Sequence, residues 1–328
     1  MAKVKKDVSA SKIDTNTKIR DLKHPSEILQ KKIIKTQDQP ILSIKNLKKN
    51  YGKVEVLTGI TFDMYEGERV AIVGANGAGK TTLSEIIAKV KDPSSGEINY
   101  SFGKTKSEIS AKVGIQFQDS SYPDFYRVGD LVTFVIDVSE TNLTIEEIDT
   151  LYKTFDLHNL KKEVANGLSG GQQQRLNIML AVVNNPKLLI LDEVGTGLDV
   201  ESRTKIKAYI NDYINETGAA LLLVSHNSDE VIELVNRVIT IHNGKIYEDR
   251  PLKEILAEFK EFDLYMNYLY LDVFKKNLDL RANKSGRSNS EATPLPKEPS
   301  NEKVKKFSIK NFIDNVKSRL NIGAGKDQ

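Results

Sequence analysis

The 328-residue chain contains no cysteine and no tryptophan, and only four histidines. Without cysteine there is no disulfide and no zinc site that depends on thiolates. A reducing, intracellular setting is therefore allowed. Long apolar runs are missing too: no stretch approaches the roughly eighteen to twenty apolar residues needed to span a bilayer. If the protein works on a membrane, another chain is expected to supply the spanning part. The opening stretch, Met1-Ala2-Lys3-Val4-Lys5-Lys6, is charged but leads into no apolar segment, so it does not read as a secretory signal.

Charge of one sign is scarce where a nucleic-acid-binding domain would need it. The formal net charge is +3, but residues 1–40 hold ten Lys and Arg against five Asp and Glu, and residues 275–328 hold thirteen against six. The body between them is net acidic. Nucleic-acid recognition calls for basic side chains on the folded surface itself, so no nucleic-acid partner is expected. Basic tails beside an acidic body suit an anionic membrane surface or an acidic partner better.

What is present is enough apolar material, 39% of residues, for a sizeable core. Residues 1–40 read as a polar, basic extension that is flexible apart from a short helix near Pro25 to Ile34. Over 41–256, apolar runs alternate with helical patterns, the mark of an α/β domain. An aromatic helical extension follows at 257–281, carrying Phe259, Phe262, Tyr265, Tyr268, Tyr270 and Phe274, and it is expected to serve core or dimer packing. Residues 282–303, rich in Ser, Pro, Asn and charge, read as a disordered linker. Over 304–328, Ile309, Phe312, Ile313, Val316 and Leu320 fall on one helical face among Lys305, Lys306, Lys310, Lys317 and Arg319. Such a basic amphipathic helix suits an anionic membrane surface or packing against protein, and both readings stand.

Three motifs carry chemistry. The first is Gly74-Ala75-Asn76-Gly77-Ala78-Gly79-Lys80-Thr81, between the apolar run Val70–Val73 and a helix-like segment from Thr82. A strand, a Gly-rich turn and a helix form a phosphate cradle, because inward-turned N–H groups approach the phosphates with no Cβ in the way. Lys80 would pair with the β- and γ-phosphates and Thr81 would offer its hydroxyl to Mg²⁺. The second is the run Lys187–Leu191, which ends on Asp192 and Glu193. Alone, such a pair reads equally well as a helix cap. In company with a phosphate loop, Asp192 suits a role on Mg²⁺ and Glu193 suits orienting the attacking water. The third is Leu168-Ser169-Gly170-Gly171-Gln172, about ninety residues after the loop and about twenty before the acidic pair.

In this order the motifs resemble the ATP-binding subunits of ABC transporters, and the resemblance covers Ile41 to Leu256. It implies a P-loop NTPase fold: a RecA-like α/β core, an antiparallel β subdomain around Tyr51, and a helical subdomain between Gln118 and Ser169. It further implies that Tyr51 stacks on adenine, and that Gly74, Asn76, Gly77, Gly79, Lys80, Thr81 and Thr82 hold the phosphates. Thr81, Gln118 and Asp192 would attend Mg²⁺, with Gln116 close enough to compete with Gln118 for that assignment. His226 would contact the γ-phosphate beside the catalytic Glu193 and Lys80. Ser169, Gly170, Gly171 and Gln172 would close on the ATP of a second protomer. Gly197-Leu198-Asp199 matches an interface loop, but Val194-Gly195 stand where the family commonly has Pro-Thr, which leaves the stiffness of that turn open.

The resemblance also implies partners: a membrane-spanning permease on another chain, and a second ATPase in a homodimer or heterodimer at the cytoplasmic face of the membrane. The segments Val113–Gln118 and Ser225–Glu230 look most like export ATPases, while an importer subunit is the alternative. Soluble members that act in translation carry two cassettes, and repair members carry long insertions or zinc modules for which this spacing leaves no room. A binding module without turnover conflicts with an intact Glu193.

Overall fold

Strand faces set the layers of this molecule, a computed structural model in which residues 39–117, 122–139 and 141–275 are described. Gln118, the extension before residue 39, the linker and the C-terminal amphipathic segment lie outside these residues. Three strands are buried along their whole length or nearly so: β3 (Arg69–Val73), β6 (Leu188–Asp192) and β7 (Ala220–Val224). A strand with two apolar faces belongs inside a parallel sheet covered on both sides, and here they pair in parallel. With β5 (Val113–Gln116), β8 (Arg237–His242) and β9 (Lys245–Pro251) they make a six-stranded sheet in the order β5-β6-β7-β3-β8-β9. Only the β8–β9 hairpin in it is antiparallel.

The two faces feed two cores. Val70, Ile72, Leu188, Ile190, Leu222 and Val224 point toward an antiparallel sheet of β2 (Val54–Met64), β1 (Leu42–Tyr51) and β4 (Ser95–Tyr100), with helix α1 (Lys80–Ile87) between. Ala71, Val73, Leu189, Leu191, Leu221 and Leu223 point the other way, into the helices. α2 (Lys106–Ala111) buries Ile109 in the first core, and the helices of the second are α3 (Val128–Ser139), α4 (Ile145–Thr154), α5 (Gly170–Val182), α6 (Val200–Thr217) and α7 (Ser228–Leu234). α5 lies so close to β5 that a Cβ on Gly114 would stand 1.8 Å from the Ala181 carbonyl oxygen, so only glycine fits there. That approach ties the helix led by Ser169 to the sheet edge.

The aromatic stretch does not run as one helix. α8 (Leu252–Phe259) stops at Lys260, whose φ is 68°, and the chain restarts as α9 (Phe262–Tyr268) before a π-helical turn over Leu269–Lys275. Phe262 and Tyr265 are buried in the helical core, and the Tyr265 hydroxyl bonds to Thr240 Oγ1 at 2.6 Å and to Glu248, while Tyr270 is exposed. The stretch is thus pinned on β8 and β9. No described helix is long and apolar enough to cross a membrane.

Candidate functional site

In a parallel sheet, the carboxyl ends of adjacent strands open into one crevice, and β3, β7 and β6 are neighbours here. β3 runs directly into the Gly-rich loop. Gly74 has φ 152°, and a Cβ on it would meet the Ile241 carbonyl oxygen at 2.2 Å, so side chains are barred both by backbone strain and by β8. Lys80 begins α1, is buried, and donates from Nζ to the carbonyls of Gly74 (2.9 Å) and Ala75 (3.1 Å). Its ammonium therefore folds back over the loop. Burial lowers its pKa, while Asp192 and Glu193 act in the opposite sense. Asn76, Gly77 and Thr81 face solvent on the loop's open side, with Thr82 half-buried.

β6 delivers Asp192 against this loop. Thr81 Oγ1 donates to Asp192 Oδ2 at 3.2 Å. Burial pushes the Asp192 carboxyl up to about 6, opposed by that hydrogen bond. The Asp192 carboxylate beside the Thr81 hydroxyl is a pair of hard oxygen donors, the chemistry Mg²⁺ selects, and a cation there would favour the ionised carboxylate that burial disfavours. Glu193 follows with a left-handed backbone, φ 55°, and its amide donates to Val224 O at the end of β7 (2.8 Å). His226, two residues past β7, is exposed. Its pKa is lowered by desolvation and by Lys80, against Glu193. Glu193, Gly195, Thr196, Ser225 and His226 line a cleft of about 410 Å³. The structure therefore brings Lys80, Thr81, Asp192, Glu193 and His226 to one end of the sheet.

Tyr51, at the end of β1, is 45% exposed, with Lys49 and Lys91 ammonium groups 5.1 and 5.8 Å from its ring centroid. Tyr51 pairs with Val54, two residues from Val56, whose carbonyl oxygen lies 3.1 Å from the place a Cβ would take on Gly79. The antiparallel sheet thus sets an open aromatic face beside the loop.

Ser169 caps α5. Its Oγ accepts from Gln172 N (3.4 Å), and Gln172 Oε1 accepts from Ser169 N (2.9 Å), a reciprocal capping box. Gly171 lies over the Gly197 carbonyl, where a Cβ would come to 2.9 Å, so this loop packs against the Gly197-Leu198-Asp199 segment. Asp199 in turn caps α6, accepting from Ser202 N at 2.8 Å.

Comparison with known proteins places this arrangement. The family model described as ABC transporter matches residues 57–195. A protein of Methanosarcina acetivorans assigned as an ABC transporter ATP-binding protein is 33% identical over 225 residues, 66% of this chain and 42% of its own. The spermidine/putrescine import ATP-binding protein PotA of Spiroplasma citri is 32% identical over 66% of this chain and 63% of its own length. A solved ATP-binding cassette dimer, in a post-hydrolysis state with ADP and Pi, superposes with a TM-score of 0.58 at 26% identity, over 64% of this chain and 98% of that one. Over residues 57–195 the chain carries an ABC transporter ATP-binding domain. It spans less than two thirds of the length of either of these two relatives.

Several residues that build this ABC site escape a motif reading. Gln116, not on the site's surface, is buried; its Oε1 accepts from Asp192 N at 3.0 Å and its Nε2 donates to Phe117 O. It braces the acidic strand, while Gln118 falls outside the described residues. Glu230 is buried, accepting from Gly195 N (2.8 Å) and Ser225 Oγ (2.6 Å). With Val194 fully buried as well, the turn that lacks Pro-Thr is held by packing and by this carboxylate. Glu230 lies four residues after the strand-end His226, but its burial, which makes it an anchor, is not readable from the sequence. Gln174 Nε2 donates to the carbonyls of Glu193 (3.0 Å) and Val194 (3.1 Å), and nothing in its local pattern announces it.

Proposed function

We propose that this chain is the ATP-hydrolysing subunit of an ABC transporter: it closes as a dimer around two ATP molecules and drives a separate membrane-spanning permease, as an exporter. The observation that carries the reading is the convergence of Lys80, Thr81, Asp192, Glu193 and His226 at the ends of three adjacent strands. ATP lays its phosphates along Gly74–Thr82, with amides and the helix N-terminus supplying positive potential. Lys80 pairs with the β- and γ-phosphates, and Tyr51 stacks on adenine. Thr81 and Asp192, with Gln118, would hold Mg²⁺, which would neutralise charge on the phosphates. Glu193 orients the attacking water and His226 meets the γ-phosphate. Because phosphoryl transfer needs little covalent help, fixing these groups supplies most of the effect.

The second ATP contact comes from Ser169, Gly170, Gly171 and Gln172 of another copy or of a related subunit. Closure with ATP and opening after hydrolysis then bias a two-state permease through Gln118 and the helical subdomain, at the cytoplasmic face of the membrane. Export rests on the likeness of Val113–Gln118 and Ser225–Glu230 to export ATPases. Import is the second reading, favoured by the 32% identity to a polyamine import subunit.

The test is affinity purification of the chain from detergent-solubilised membranes, with ATP and with Glu193→Gln to hold the closed state, followed by mass spectrometry. A stoichiometric multi-spanning protein is expected, and its sequence separates export from import. Recovery with ribosomes or repair proteins and no membrane partner would overturn the transporter reading.

A further inference from the structure

We infer that Gln174 is a positioning residue that fastens the helix led by Ser169 to the backbone of Glu193, so that one chain's contact with its partner's ATP is felt by the carboxylate acting on its own. The inference rests on the reading that Glu193 orients water for ATP hydrolysis. Gln174 sits on α5 five residues after the Ser169 cap, about 7.5 Å along the axis at 1.5 Å per residue. It is only 8% exposed, and its single carboxamide nitrogen serves two carbonyls in succession, Glu193 O at 3.0 Å and Val194 O at 3.1 Å.

Those carbonyls belong to a turn that has to be held. Glu193 adopts φ 55°, a region that a residue with a Cβ visits at a cost, so the conformation persists only where neighbours fix it. Three ties do so from three elements. Glu193 N is anchored to Val224 O on β7, Gly195 N to Glu230 on α7, and the two intervening carbonyls to Gln174 on α5. The first two tie the turn to the sheet and to the His226 side of the site. Gln174 alone among them comes from the helix whose N-terminus presents Ser169, Gly170 and Gly171. A rigid helix moved at its cap carries the amide at its fifth position with it. Displacement there changes where the Glu193 side chain points without touching the phosphate loop.

The experiment compares the full-length chain with Gln174→Met, which keeps shape and loses the donor, and Gln174→Glu, which puts an oxygen against two carbonyls. Steady-state ATP turnover, affinity for a fluorescent ATP analogue and Tm are measured on each. The expected result is a kcat lowered about tenfold in Gln174→Met and more in Gln174→Glu, with KM and nucleotide affinity within about twofold of the parent in Gln174→Met and Tm little changed in that variant, while Gln174→Glu also lowers Tm. In the Glu193→Gln background, Gln174→Met should cause no further loss, because both changes act through one carboxylate. Parental kcat in Gln174→Met, or an additive loss in the double variant, overturns the inference while leaving the ATPase reading intact. A fall in kcat matched by falls in affinity and Tm in Gln174→Met also overturns it, since that pattern belongs to general loosening. A parent chain with no ATP turnover at all would sink the hydrolytic reading and this inference together.

Discussion

Two glycine-rich loops in this chain answer to different constraints. In the phosphate loop, glycine at 74 is required by the chain itself: its φ is 152° and β8 leaves no room for a Cβ. Lys80 is already engaged with the carbonyls of Gly74 and Ala75, and Thr81 with Asp192. The Ser169 loop is held by its own capping box, by buried Leu168 and by Gly171 on Gly197, but a Cβ placed on Gly170 would meet nothing within 4 Å. Nothing in the fold of a single chain requires a glycine at 170. On the proposed function, a loop whose smallest residue is not needed internally is shaped for a surface outside the chain, the ATP of a second protomer. One loop is fixed by contacts within the chain, and the other leaves Gly170 open to whatever docks there.

The sharpest break of that contrast is chemical. Glu193→Gln keeps the fold and the nucleotide but should lower ATP turnover by about a hundredfold to ten-thousandfold, the usual worth of a positioned base. Lys80→Ala should act on binding instead, weakening ATP by about tenfold to a hundredfold through loss of a charge-assisted contact. Equilibrium titration beside steady-state kinetics separates the two, and near-normal turnover in Glu193→Gln would remove the role assigned to it.

The glycines test the contrast directly. Gly74→Ala should destabilise the chain by about 3 kcal/mol or more, from overpacking against Ile241 and a disfavoured φ. Thermal unfolding reads this without any nucleotide. Gly170→Ala should leave unfolding within about 0.5 kcal/mol of the parent, since the added methyl enters open space at a helix start. Its effect should appear only in association: ATP-driven dimerisation of the Glu193→Gln protein, followed by light scattering, should weaken by about tenfold. Equal losses of stability in both variants would erase the distinction between the loops. The smallest effect is expected at the edge of the site, where Tyr51→Ala should lower ATP affinity by up to about tenfold through lost stacking while leaving kcat at saturation unchanged.

Much of this was readable because the signals are local. The loop Gly74–Thr81 lies between a strand and a helix within twenty residues, and the acidic pair ends a run of four apolar residues. Backbone chemistry of that kind is written in consecutive letters. The aromatic stretch was readable as helical, but its division at Lys260 was not, because docking Tyr265 against Thr240 and Glu248 sets the break. Gln116 was legible only as a competitor of Gln118, and the bracing by Gln116, Gln174 and Glu230 was not, since each acts on backbone seventy-six, nineteen or thirty-five residues away.

By itself, then, the sequence determined the ABC transporter ATP-binding domain and the strand, glycine-rich turn and helix around Gly74–Lys80. Periodicity, glycine placement and strand-end carboxylates are properties of short segments, and short-range sterics fix them. Tertiary structure alone decided that Asp192 is buried until its carboxyl titrates near 6, that Glu193 is held at a positive φ by three separate elements, and that Gly74 but not Gly170 is locked by its neighbours. Each depends on the desolvation and close contact of residues distant in the chain, and those exist only once both faces of the central sheet are covered.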